Sequence, residues 1–276
     1  MPKKRPSTPV PGSLSLRKTL SMPALLKQVR AHFDTLSDHR RAGVNYSLSD
    51  VLMSALAMFS LKDGSLLSFD QQRQDPIRQQ NLHNLFGVAN APCDSQMRAA
   101  LDPVKPSALR PAFKMLHQML QQQGVLADYR FMGKYLISVD GTGLFSSSKI
   151  RCPECCVKNH KDGTQSFYHQ LVAAVMVHPD RPTVLPFYPE AITRRDGDNK
   201  NDCEHNAAKR LIRALCQDFP QMQMILLQDA LACNGPHIRL LQQQGASFII
   251  TAKPRANSLL LTQLLNGLDN GRSQEV

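Results

Sequence analysis

No stretch of this chain stays apolar for the ~20 residues that a membrane span requires. A secretory signal is not expected either. Lys3, Lys4 and Arg5 are followed by Pro6 to Gly12, where a signal would carry its apolar core. Glutamate is missing from residues 1–130, which hold 17 Lys and Arg against 9 Asp, a net +8; the other 146 residues hold 16 basic against 13 acidic, a net +3. The basic half therefore comes first. A field of that sign favours a polyanion, above all nucleic acid, through phosphate contacts and counterion release. Seven cysteines, an odd number with no signal before them, exclude a disulfide framework of the secreted kind. They place the chain in a reducing compartment, the cytoplasm, where thiols stay free or bind metal.

What is present divides in two. Residues 1–21 are rich in Pro, Ser and basic residues without periodicity, and read as a flexible basic arm. Residues 22–128 read as a helical, DNA-binding or DNA-associated domain. Leu25, Leu26, Val29 and Phe33 recur at helical spacing, and Ser47 with Asp50 three residues on has capping-box form before the apolar run Val51, Leu52, Ala55, Leu56 and Phe59. Helices over Ile77–Phe86 and Gln96–Leu101, the second capped by Asp94 or Ser95, have helix-turn-helix proportions. In that reading Ser95, Gln96 and Arg98 face base edges or phosphates; ordinary helix packing is the competing reading. Arg40 and Arg41 add basic groups in the loop before Ser47.

Residues 129–276 change to strand character. Strands are expected at Tyr135–Val139, Phe167–His178 and Val184–Tyr188, then helix Cys203–Cys216, strand Met224–Gln228, helix Pro236–Gln243 and strand Ser247–Thr251. Three antiparallel strands leading into βαβ crossovers is the order of an RNase H-like mixed sheet. The fold class expected is thus α/β, an incomplete RNase H-like sheet preceded by an all-helical domain.

Two apolar runs end on an acid: Tyr-Leu-Ile-Ser-Val closes on Asp140, and Met-Ile-Leu-Leu-Gln closes on Asp229. Functional side chains of α/β sheets stand at the carboxyl ends of strands, and Gly141 is read as letting the backbone turn away there. On adjacent strands the two carboxylates would suit Mg²⁺ or Mn²⁺. As a plain alternative, each Asp caps the turn that follows it.

Several segments carry a resemblance: Ser138-Val139-Asp140-Gly141-Thr142, Asn201-Asp202-Cys203-Glu204-His205-Asn206-Ala207-Ala208-Lys209-Arg210, Leu227-Gln228-Asp229-Ala230, and Phe33 to Arg41 leading into Tyr46-Ser47-Leu48. With them the chain resembles a bacterial insertion-sequence transposase of the DDE type. The resemblance implies metal-dependent phosphoryl transfer on double-stranded DNA, at transposon ends and target, by a homodimer when active. Asp140 and Asp229, 89 residues apart, map onto the two aspartates. The family's glutamate lies on a helix after the fifth strand, but only Asp269 and Glu275 follow Asp229, and Asn266 to Glu275 reads as a loop. The chain is therefore expected to be truncated before its third acid. Glu204, opening the helix where ribonuclease H enzymes carry a metal-ligating Glu, is a substitute; the other reading is a first-turn acid complementing the helix dipole. The alternatives to a transposase are an inactive DNA-binding remnant and a metal-dependent nuclease using Asp140, Glu204 and Asp229.

One more cluster stands out. Cys152 and Cys155 are spaced C-x₂-C, with His160 shortly after and His169 further along. Cys152, Cys155 and His160 are the expected set for a structural Zn²⁺, against free thiols in a hairpin. Lys149, Arg151 and Lys158 beside them would lie along DNA.

Overall fold

A computed structural model describes residues 13–41, 43–193, 203–253 and 257–269. The chain forms two compact units, Met1–Val125 and Leu126–Val276.

The described residues of the first unit carry seven α-helices: α1 (Ser13–Leu20), α2 (Met22–Phe33), α3 (Leu48–Ser60), α4 (Leu66–Gln72), α5 (Pro76–Phe86), α6 (Asp94–Leu101) and α7 (Arg110–Gln122). Most start on a side-chain cap that satisfies an orphan N–H. The Ser21, Ser47, Ser65 and Asp75 side chains accept from the fourth residue of their own capping turns. α5 stops at Gly87, whose φ of 69° is the left-handed conformation glycine adopts at low cost. α3 is the centre of the core: Val51, Met53 and Ala57 are fully buried, with Phe69 of α4 and Met97 of α6 against them.

Three expectations change here. The basic arm does not extend over residues 13–20, which form α1 beside α2 and α7, with Leu16 and Leu20 half-buried on one face. Residues 1–12 lie outside the described residues. Phe59 faces solvent instead of the core. Asp50 does not close a capping box. Ser47 Oγ accepts the Asp50 N–H at 3.0 Å, but the Asp50 carboxylate is buried and accepts from Arg30 Nη2 of α2 at 2.8 Å. A long-range ion pair wins over the local bond because a buried carboxylate needs a compensating charge. Arg30→Met should therefore lower the unfolding free energy by about 2 kcal/mol. That is less than the roughly 3–5 kcal/mol of a fully buried pair, since Arg30 keeps part of its side chain in water. Urea denaturation of the full chain checks it; a loss within ~0.5 kcal/mol would make the pair a surface contact in energetic terms.

The described residues of the second unit form a mixed sheet of eight strands with helical crossovers: β1 (Arg130–Phe131), β2 (Lys134–Ser147), β3 (Cys156–Asn159), β4 (Gln165–His178), β5 (Arg181–Pro186), β6 (Glu190–Ile192), α8 (Glu204–Asp218), β7 (Met224–Gln228), α9 (Gly235–Gln243), β8 (Ser247–Ile250) and α10 (Ser258–Asp269). The main path runs β3-β4-β2-β7-β8, with β1 on β2 and both β5 and β6 on β4. β4 is antiparallel to β2, β3, β5 and β6, while β2–β7 and β7–β8 are parallel. Parallel neighbours need a crossover, which α8 and α9 supply. Ile137, Ala174, Met176 and Leu226 make the buried centre. α8 presents Ala207, Ala208, Leu211, Ile212 and Leu215 as one apolar stripe and packs on β4 and β6.

β2 is longer than its apolar run. It continues through Asp140 and Gly141 to Ser147, because β4 keeps pairing with it, Asp140 opposite Ala173 and Gly141 opposite Val172. Gly141 is thus not a turn. The expected loop from Asn266 is also corrected as far as Asp269, where α10 ends; residues 270–276 lie outside the described residues. α10 carries no glutamate.

Candidate functional site

The last parallel pair between β2 and β7 is Ser138 with Leu227, and Asp140 and Asp229 each lie two residues beyond it. Both acids are exposed and line one cleft together with Glu204, the first residue of α8. Past Ser138 the sheet opens on this side, because β7 ends at Gln228 and only β4 continues beside β2. That opening is the carboxyl-end crevice in which α/β sheets present functional groups.

Each acid is held locally. Asp140 Oδ1 accepts the Gly141 N–H at 2.8 Å. Asp229 caps the short 3₁₀ turn Ala230–Ala232, its Oδ1 accepting the Leu231 N–H at 2.9 Å. The capping reading and the cleft reading of Asp229 therefore both hold. Glu204 lies directly over Gly141: a β-carbon on Gly141 would stand 2.5 Å from Glu204 Oε2 and 2.6 Å from its Cδ. The Asp-Gly pair is explained by this close approach of a side chain, not by backbone conformation.

Burial pushes the Glu204 carboxyl above its ordinary value, and the Asp140 and then the Asp229 charges push it further; His205 and the Gly141 N–H work against them. Two histidines complete the cleft. His205 Nε2 lies 2.7 Å from the Leu231 carbonyl oxygen, which fixes it as the donor nitrogen. His237 Nε2 lies 2.8 Å from Gln228 Oε1, its ring is buried, and its Nδ1 meets no hydrogen-bond partner among the described residues. Burial, with His205 and Lys209, pushes the His237 imidazole down. Among the described residues that line the cleft there is no Lys or Arg.

The Glu204 shift makes a stability prediction. An acid whose carboxyl titrates higher in the folded than in the unfolded chain destabilises the fold once both forms are ionised, and this penalty vanishes below its unfolded pKa. In metal-free buffer Glu204→Gln should raise the melting temperature at neutral pH, by a gain that fades as the pH falls through the Glu204 titration. Melting curves across pH check it; a Gln variant that is less stable throughout would show that Glu204 has favourable partners in the fold.

The thiol cluster differs from expectation in its histidine. His160 Nε2 lies 2.6 Å from Ser166 Oγ, away from the thiols. His169 of β4 takes its place, with Nε2 at 3.2 Å from Cys152 Sγ and 3.3 Å from Cys155 Sγ. The β3–β4 register decides this. Cys156 pairs with Tyr168, which brings the neighbouring His169 up to Cys155, whereas His160 lies past the other end of β3. Among the described residues this trio is the one set of three whose ligand atoms all fall within 4.8 Å of one another; the three carboxylates stand wider.

The basic candidates separate by what they do in the fold. Arg40 is committed internally, to both Asp38 oxygens at 2.9 and 2.7 Å and to the Tyr46 carbonyl at 2.9 Å. Arg41, Gln96 and Arg98 are exposed, and Gln96 lines a groove with Arg40 and Tyr46. α6 starts from Cys93 with no side-chain cap, so neither Asp94 nor Ser95 serves as its N-cap. In the second unit Lys149, Arg151 and Lys158 are exposed, and the Arg151 guanidinium sits 5.3 Å over the Phe167 ring. No described helix is long and apolar enough to cross a membrane.

Sequence reasoning missed His205 and His237, which no spacing rule marks, and passed over His169 for the nearer His160. No family model matches the chain, and no curated protein matches it. Among solved structures the chain is weakly similar to piggyBac transposase in a synaptic complex with hairpin DNA. The match has a TM-score of 0.31 and 11% identity, and covers 88% of this chain and 51% of that one. The chain thus spans about half the length of that protein.

Proposed function

We propose that this chain is a DNA-processing protein of the transposase type, whose acidic cleft acts on phosphodiesters with a divalent metal. The observation that carries the reading is the convergence of Asp140, Asp229 and Glu204 on one cleft at the carboxyl ends of paired parallel strands. Strand order supports it: β5-β4-β2-β7-β8, antiparallel on one side of β2 and parallel on the other, is the order an RNase H-like sheet requires. The charge balance of +11, concentrated in the first half, supports a polyanionic substrate. The exposed Arg41 and Arg98 of the first unit, and Lys149, Arg151 and Lys158 of the second, are the phosphate contacts proposed.

The donor types suit Mg²⁺ or Mn²⁺; the three carboxylates, spread wider than the thiol trio, would close in around the ion. Three carboxylates face one space with no lysine or arginine among its described lining residues, and the Glu204 carboxyl is pushed up by burial first and then by its two acidic neighbours, a charge imbalance that a cation relieves. Asp140, Asp229 and Glu204 would hold it. A metal there supplies charge neutralisation at the phosphodiester and a more acidic water or hydroxyl nucleophile. The chain's own contribution is placement. Gly141 lets Glu204 close over β2, the Leu231 N–H orients Asp229, and His205 is anchored on the Leu231 carbonyl beside the acids.

The test is nicking of supercoiled plasmid by the full chain with Mg²⁺ or Mn²⁺ against chelator. Metal-dependent nicking is expected; retained DNA binding with no nicking under either metal would reduce the protein to a DNA-binding remnant.

A further inference from the structure

We propose that Cys152, Cys155 and His169 form a structural zinc site that pins the loop between β2 and β3 onto β4. It stands apart from the acidic cleft and does not depend on the reading of that cleft. A zinc ion with about 2.3 Å bonds to sulfur and about 2.0–2.1 Å to nitrogen has tetrahedral edges of roughly 3.7 Å between sulfurs and roughly 3.6 Å between sulfur and nitrogen. The observed edges are 3.5 Å for Cys152 Sγ to Cys155 Sγ, and 3.2 and 3.3 Å from these sulfurs to His169 Nε2. All three are within a few tenths of an ångström of a zinc-bound face. A disulfide is much further off, since it needs the sulfurs at about 2.05 Å.

The surroundings are those of a metal knuckle. The Cys-Pro-Glu-Cys turn is closed by the Cys155 N–H on the Cys152 carbonyl at 3.2 Å, and the Cys152 N–H donates to Cys155 Sγ at 3.2 Å. Cys155 is buried, and the Phe145 ring lies tilted against His169 with centroids 6.4 Å apart, which restricts the imidazole from a second side. Cys156 is excluded as a ligand, because its Sγ is buried and directed to the Ile192 carbonyl at 3.6 Å. Cys152 is exposed, and with three ligands among the described residues the fourth position of the tetrahedron would fall to a water. Occupied, the site holds Arg151 over Phe167 and orders the basic hairpin that carries Lys149 and Lys158.

The experiment uses the full chain purified without added metal. Elemental analysis should find about one zinc per chain in the parent and in His160→Ala. Zinc should be lost from Cys152→Ser, Cys155→Ser and His169→Ala, while Asp140→Asn keeps it. Should these variants fail to fold, the parent decides alone: after exchange into cobalt(II) it should show tetrahedral d–d bands with thiolate-to-metal charge transfer. X-ray absorption of the zinc form should count two sulfurs and two lighter ligands. Substoichiometric zinc in the parent with both thiols free to react, or a mass lower by two hydrogens from a disulfide, would overturn the proposal. So would loss of zinc from Asp140→Asn or His160→Ala.

Discussion

Asp140→Asn and Asp229→Asn should each lower metal-dependent nicking by at least roughly 10²–10³-fold, the scale seen when one preorganised group is removed from a site that stabilises developing charge. The two acids lie just past the last β2–β7 pair, so each brings an oxygen from the end of a different strand to the same cleft. An asparagine keeps the shape and one oxygen but loses the charge that a hard divalent cation selects. Both positions are exposed, so the amide adds no buried polar burden and the fold should persist. Asn also caps turns well, which preserves the bond to the Leu231 N–H at position 229. Nicking by gel, with melting temperature and DNA affinity measured alongside, separates chemistry from folding and binding. Should both variants nick like the parent while remaining folded, the cleft is not where the phosphodiester is cut.

Gly141→Ala should cost about 10²-fold in nicking while leaving the unfolding free energy within ~1 kcal/mol, because a misplacement near 1 Å at a reacting centre is enough for that loss. The added carbon would meet Glu204 Oε2 at 2.5 Å. That oxygen is the end of a flexible side chain, so the clash is relieved by Glu204 swinging out, not by the sheet breaking. Gly141 lies within β2 opposite Val172, where an alanine suits the strand at least as well as glycine. Activity and stability are thereby uncoupled. A double variant Gly141→Ala/Glu204→Asp, with the carboxylate drawn back by one carbon, should recover part of the loss. If Gly141→Ala nicks at the parent rate, Glu204 takes no part in the chemistry.

Local pattern was enough for a good deal of this. The change from helical to strand periodicity near Gly124 is carried by side-chain spacing alone, as is the Ser47 cap on α3. The strand Met224–Gln228 was legible from five apolar or amide residues ending on Asp229. The same spacing placed Asp140 and Asp229 at matched positions, since both follow buried runs that belong in the middle of a sheet. What it could not reach were choices between partners distant in the chain. Asp50 has a good local partner and takes Arg30 instead, because burial makes a full charge worth more than a capping bond. β2 runs on past Asp140 because β4, some thirty residues later, continues to offer hydrogen bonds opposite Gly141 to Ser147. The role of Gly141 depends on Glu204, which the α8 crossover brings over it. His169 displaces His160 at the thiols for the same kind of reason. Proximity in sequence favoured the nearer histidine, but the antiparallel register of β3 on β4 sets Cys156 against Tyr168, and register determines which side chains share a corner.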